Sequence, residues 1–189
     1  MDIKELKDKF KELNLQNQLT LEEMPELDLY MDQVIQLFDS KFNECKRNKD
    51  DKALTKTMIN NYAKGKLLMP IKNKKYSKEH LILMSLIYNF KTSISIGDIK
   101  ESLKIIVDSY ENKEDYPLRE LYQLYLNEYK DDLNDIEKNI EDKFKKIEKI
   151  ETSGDEFTRN FILLSSFINM SNMYRKLSEK LIDDYFSKL

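Results

Sequence analysis

Glycine and proline are scarce, with three of each in 189 residues, so the long irregular connections of sandwiches and barrels have little material. The single cysteine, Cys45, rules out an internal disulfide and a cysteine-based metal site, and it suits a reducing compartment. The single histidine, His80, is no more informative. The first fifteen residues alternate charged and apolar side chains and lack the apolar run of a secretory signal. No stretch is long and apolar enough to span a bilayer, so the expectation is a soluble cytoplasmic protein without membrane contact. A Gly-rich phosphate loop, a nucleophile elbow and a carboxylate cluster with a histidine partner are all missing. Neither an enzyme nor a bound cofactor or metal is therefore expected. Acidic pairs such as Asp131 with Asp135, or Asp183 with Asp184, stand beside lysines on helix faces and read as solvated.

What remains is apolar, aromatic and charged. Hydrophobic residues make up 40% of the chain, with eleven Tyr and nine Phe, enough for a packed core in one ordinary domain or two small ones. Charged residues make up 35% with a net charge of −3, a balance that does not by itself suggest nucleic acid. The expected fold is all-α.

Ile3, Leu6, Phe10 and Leu13 predict a short leading helix, followed by an irregular stretch to Glu26. Leu27, Met31, Val34, Phe38, Phe42 and Cys45 form the apolar stripe of the next helix, and Lys46 to Lys52 is a polar loop. Thr55 or Thr57 caps a short helix with Met58, Ile59 and Tyr62 inward, ended by Gly65 and Pro70. Ser77 caps a helix that is apolar on nearly all sides from Leu81 to Phe90, and Ser95 with Asp98 opens another through Ile99, Leu103, Ile106 and Tyr110. After Pro117 a helix of about thirty residues pairs with a last one carrying Phe157 to Tyr185. Three regions follow: 1–26, a leading segment; 27–112, a DNA-binding domain; and 113–189, a helical dimerisation or effector region.

The small net charge hides a local asymmetry. Between Lys41 and His80 twelve Lys and Arg stand against four acids, a local charge of +8. The short helix lies inside this block. Lys56, Asn60 and Lys64 recur at four-residue steps, with Thr57 and Asn61 one step around, all opposite Met58, Ile59 and Tyr62. Lysine neutralises phosphates, and an Asn amide can pair with the N6 and N7 edge of adenine, so this face has the chemistry of a recognition helix.

The order of parts carries a resemblance. Leu54-Thr-Lys-Thr-Met-Ile-Asn-Asn-Tyr62 is followed by Gly65-Lys-Leu-Leu68 with Pro70, by Tyr76-Ser-Lys-Glu-His-Leu81, and by Ser95-Ile-Gly-Asp-Ile-Lys-Glu-Ser-Leu103. This resembles the winged helix-turn-helix domain of the MerR family. The stretch from Leu27 to Leu103, with the phrase Leu29-Tyr-Met-Asp-Gln33, also looks like a family of uncharacterised proteins from low-GC Gram-positive bacteria whose predicted role is transcriptional regulation. The resemblance implies a MerR-like N-terminal domain ahead of a C-terminal antiparallel helical hairpin. It also implies that Tyr62 and Tyr76 either touch phosphate or pack in the core or wing with the hydroxyl at the surface. Asn60 stands where the MerR pattern has Arg, Asn61 replaces the first of its paired tyrosines, and the wing around Lys72 to Lys75 is shorter.

The resulting expectation is a transcriptional regulator acting as a homodimer on double-stranded DNA with a two-fold symmetric site. Lys56, Thr57, Asn60, Asn61 and Lys64 would enter the major groove, while Lys72, Lys74 and Lys75 would hold the backbone. A small-molecule effector could sit among Tyr122, Tyr125, Tyr129, Phe157, Phe161 and Phe167, although core packing is the readier use of these rings. A helical protein-protein interaction module and a regulator of the tetracycline-repressor type are the alternatives.

Overall fold

In the computed structural model, which describes residues 2–48, 50–112, 114, 116–149 and 155–189, the apolar spacings become seven α-helices and one short antiparallel strand pair. They are α1 (Ile3–Glu12), β1 (Leu29–Tyr30), α2 (Met31–Phe42), α3 (Lys56–Lys64), β2 (Lys75–Tyr76), α4 (Lys78–Phe90), α5 (Ile96–Glu111), α6 (Leu118–Glu148) and α7 (Glu156–Asp184). Polar caps start α3, α4 and α5 where the sequence implied. Thr55 accepts from the backbone N–H of Met58 at 3.1 Å, and Ser95 accepts from that of Asp98 at 3.1 Å. At α4 the partner is unusual, because His80 Nδ1 accepts from the backbone N–H of Ser77 at 3.1 Å.

The core forms around α4. Every residue from His80 to Ile87 is buried, as its all-round apolar sequence requires. Its six large apolar side chains contribute on the order of 10 kcal/mol of gross burial energy. Val34, Phe38 and Phe42 of α2, Ile59 and Tyr62 of α3, and Ile99, Leu103, Ile106 and Val107 of α5 complete the cluster.

Two expected boundaries fall inside this core. Leu19 and Met24 from the leading segment, and Leu118 and Tyr122 from the first turns of α6, belong to the same buried cluster. The Tyr122 hydroxyl donates to the Leu19 carbonyl at 2.6 Å, the Tyr129 hydroxyl donates to that of Leu15 at 2.9 Å, and Asn89 donates to Gln18 at 2.8 Å. Arg119 contacts both Glu79, at 2.7 Å, and Glu26, at 3.1 Å, while the buried Lys78 meets Glu26 at 2.5 Å. The irregular stretch is therefore fastened by polar bonds to α4 and α6, and neither 26/27 nor 112/113 separates two cores. Leu27 is corrected as well: it is 81% exposed, and α2 begins only at Met31.

The rest of α6 leaves the core. At 31 residues it extends about 46 Å, and Lys7 of α1 forms an ion pair with Glu141 near its far end. Lys143 donates to Ser166 at 2.7 Å, while Phe144 and Ile147 share a small cavity with Asn160 and Leu163, so α6 and α7 run antiparallel. The sequence places an interruption from Thr152 to Asp155 between these helices, and of it only Asp155 lies among the described residues. Five of the six aromatic residues named for an effector pocket fall into two separate groups. Tyr122, Tyr125 and Tyr129 contact one another in sequence, whereas Phe157 and Phe161 pair on the surface with centroids 6.0 Å apart. The cavity between α6 and α7 measures about 20 Å³, room for little more than one water.

Candidate nucleic-acid interface

The face of α3 is built as its spacing requires. Ile59 and Tyr62 are buried and hold the helix to the core, while Lys56, Thr57, Asn60, Asn61 and Lys64 are all exposed. The helix ends in a Schellman arrangement, with the N–H of Leu67 donating to the Tyr62 carbonyl at 2.9 Å and that of Lys66 to the Ala63 carbonyl at 3.2 Å. The left-handed residue is Lys66, with φ 58°, and not the glycine before it. Gly65 is needed for a different reason. A β-carbon there would lie 2.8 Å from Leu67 Cδ1 and 3.1 Å from the Asn61 carbonyl oxygen.

The segment expected as a short wing is a tight turn. Lys75 N–H donates to the Lys72 carbonyl at 2.9 Å across Asn73 and Lys74, whose φ values of 51° and 58° make a type I′ turn. Beyond it β2 pairs antiparallel with β1, Leu29 facing Tyr76 and Tyr30 facing Lys75. The Lys75 ammonium sits 5.1 Å from the centroid of the Tyr30 ring, a cation–π arrangement. β1 runs straight into α2, and Asp32 in the first turn of α2 lies 2.8 Å from Lys56. The turn, the start of α2 and the start of α3 are thereby joined around residues 30–32. Lys72 and Lys74 are exposed and Lys75 is half-buried.

Tyr62 and Tyr76, expected either to touch phosphate or to pack in the core or wing, are 5% and 3% exposed, so their rings pack in the core. Burial pushes both phenols above their ordinary range, and Tyr76 packs edge-on against the His80 ring at 5.8 Å. They hold β2 and α3 to the core. The charge of the basic block is also reduced by neighbours distant in sequence. Lys41 meets Glu23 at 2.7 Å, Lys46 meets Asp39 at 3.2 Å, Lys56 meets Asp32 and Lys78 meets Glu26, so four of its cations are matched by acids from outside it. Tyr30, 56% exposed, and Asp32 went unremarked as site residues, although both lie in the phrase Leu29-Tyr-Met-Asp-Gln33 that carried the resemblance.

Other groups offer little chemistry. Cys45 lies in a 3-10 turn after α2, half-buried, and its thiol is within 3.2 Å of the Asn14 carbonyl. Burial raises its pKa, the opposite of an activated thiolate. An open cleft of about 260 Å³ beside it is lined by Lys46, Arg47, Lys52, Tyr88 and Lys91. Lys91 donates to the Ala53 carbonyl at 3.1 Å, and burial lowers its pKa. Among the described residues no group of three His, Cys, Asp or Glu could hold a metal ion, and no helix is long and apolar enough to cross a membrane. Asp131 and Asp135 are exposed, as are Asp183 and Asp184, the last paired with Lys180 at 2.9 Å.

No curated protein and no solved structure matches the chain. Residues 19–125 match a family described as a domain of unknown function, DUF1836. The matched span takes in Leu19 and ends three residues past Tyr122, so it coincides with the core bounded by that hydrogen bond. By this match, which covers more than half of its length, the chain belongs to the DUF1836 family.

Proposed function

We propose that the protein is a DNA-binding transcriptional regulator with a MerR-like winged helix-turn-helix. The observation that carries this reading is the division of α3. Its five polar residues are exposed, while Ile59 and Tyr62 fix its orientation on the core. Lys56 and Lys64 meet phosphates, Asn60 and Asn61 offer amides to base edges, and Thr57 contacts either. The wing lysines Lys72, Lys74 and Lys75 hold the adjacent backbone. The Lys72–Lys75 turn with its paired strand favours this reading over the tetracycline-repressor type, whose recognition helix has no wing. One nine-residue helix reads few base pairs, so a homodimer on a two-fold symmetric site is the working form.

Selection from random double-stranded DNA, followed by fluorescence anisotropy at 50 and 200 mM salt, tests the reading. The expected result is an enriched palindromic site whose affinity falls steeply with salt, roughly 10³-fold or more for six or more phosphate contacts. Lys56→Glu and Lys64→Glu should each weaken binding and leave thermal unfolding unchanged. Salt-insensitive or undetectable binding would leave the protein-interaction module as the better account, which the exposed apolar face of α7 independently favours.

A further inference from the structure

The cleft beside Cys45 holds no activated group, but it gathers positive charge. Its walls are the loop after α2 and the last turn of α4, and four cations line it: Lys46, Arg47, Lys52 and Lys91. Asp51 is the one acid that lines it among the described residues. The Asp51 carboxylate is engaged by Asn48, which donates its backbone N–H at 3.1 Å and its amide at 3.3 Å. Lys46 is matched by Asp39, at 3.2 Å. Arg47, Lys52 and Lys91 form no ion pair among the described residues. These three cations against Asp51 leave a surplus of two positive charges. The C-terminal carbonyls of α4, which ends beside Lys91, are worth about half a negative charge and offset only part of it.

Lys91 is held where it is by the fold. It is half-buried, and its ammonium donates to the Ala53 carbonyl at 3.1 Å and lies 4.8 Å from the centroid of the Tyr88 ring. Ala53 and Leu54 are each 1% exposed, so the loop that supplies this carbonyl is fixed in the core just ahead of the Thr55 cap of α3. A cation withdrawn from water to neutral partners loses hydration without gaining a counter-charge, and burial lowers its pKa for that reason. An anion in the cleft would supply the missing charge.

Shape and charge narrow the choice of anion. At about 260 Å³ the cleft lies just below the range of small-molecule pockets, about 300–1,000 Å³. The Tyr88 ring is taken up by Lys91 and by Phe42, whose centroid is 4.3 Å away, so it offers no platform to a stacked nucleobase. Guanidinium and ammonium groups together suit phosphate oxygens. A phosphate monoester carries up to about two negative charges at neutral pH, equal to the surplus, whereas each diester of a DNA backbone carries one.

We propose that this cleft is a binding site for a small phosphorylated molecule, with Arg47, Lys52 and Lys91 holding its phosphate monoester. The site does not depend on the DNA reading above.

Amide NMR titrations of the full chain at constant ionic strength test it, with methyl phosphate as the monoester and dimethyl phosphate as the diester. Methyl phosphate should shift the amides of Arg47, Lys52 and Lys91 saturably. Its dissociation constant should be about 1 mM or below, and roughly tenfold or more tighter than that of dimethyl phosphate. Arg47→Gln and Lys52→Gln, both at exposed positions, should each weaken it roughly fivefold with the melting curve unchanged, and Lys91→Gln should weaken it further. Shifts that do not saturate, or that spread over lysines throughout the surface, would overturn the proposal. So would equal binding of the diester, or displacement of methyl phosphate by a DNA duplex whose own affinity falls in the Arg47→Gln and Lys52→Gln variants. Either result would give the cleft to a nucleic-acid backbone. Saturable methyl phosphate binding by a chain that ignores DNA would leave this site standing and sink the DNA reading. DNA binding by a chain that ignores methyl phosphate does the reverse.

Discussion

Lys56 Nζ lies 2.8 Å from Asp32 Oδ1, so the first cation of the exposed α3 face is held by the first turn of the neighbouring helix. Both side chains are exposed, and the pair is weak in water. Its effect would appear on binding. A phosphate approaching Lys56 meets a carboxylate already there, which competes for the ammonium and repels the backbone. Asp32→Asn should therefore tighten DNA affinity roughly fivefold at low salt, with a smaller gain at high salt. Anisotropy titrations of the two proteins on one site measure this, and equal affinities would remove Lys56 from the interface.

The end of α3 gives a stability test separate from binding. Lys66 holds φ 58° in a position that favours glycine, and its side chain is exposed. Lys66→Gly relieves the steric strain of a left-handed residue and should stabilise the fold by about 0.5–1 kcal/mol after the added flexibility of the unfolded chain is allowed for. Gly65→Ala should act in the opposite direction, by about 1–3 kcal/mol, because its methyl group meets Leu67 and the Asn61 carbonyl. Urea unfolding midpoints check both signs.

These two residues also mark what could be read in the sequence. Spacing and caps give the helices to within a few residues, since Thr55, Ser77 and Ser95 act locally and α4 advertises its burial by having no polar face. The polar face of α3 follows from the same periodicity. Contacts between distant segments do not. Nothing near Leu19 signals that Tyr122 will bond its carbonyl, and a charge count from Lys41 to His80 cannot register Glu23, Glu26, Asp32 and Asp39 arriving from outside. Tyr62 and Tyr76 carry hydroxyls that suit a phosphate, and only the packing reveals that their rings are buried.

His80 should make stability depend on pH near neutrality. Its Nδ1 accepts from the Ser77 backbone N–H, so the proton of the neutral ring is on Nε2, 3.2 Å from the Met69 carbonyl. Burial holds the pKa below the ordinary histidine value. The unfolded chain therefore binds more protons in this window, and the stability contributed by neutral His80 is complete above about pH 6.5 and declines as the pH falls toward the folded pKa. Chemical denaturation at pH 7.5, 6.5 and 5.5 should show that decline. His80→Gln should flatten it, and an unchanged slope in the variant would assign the effect to other groups.

The bond from Tyr122 to Leu19 predicts where the chain can be divided. Desolvation raises the Tyr122 phenol to about 12, so the hydroxyl keeps its proton and remains a donor throughout the physiological range. Tyr122→Phe leaves the Leu19 carbonyl without that donor and should cost about 1–3 kcal/mol. A fragment of residues 27–112 lacks Leu19, Met24, Leu118 and Tyr122, all buried in the common core. It should give a poorly dispersed amide spectrum and no cooperative melt. A fragment of residues 13–130 retains those side chains, the Tyr129 bond to Leu15 and the Arg119 contacts, and should unfold in a single transition. If residues 27–112 alone matched the longer fragment in unfolding midpoint, the leading segment and α6 would be accessories to a smaller domain. Their contacts with α4 would then contribute nothing to its stability.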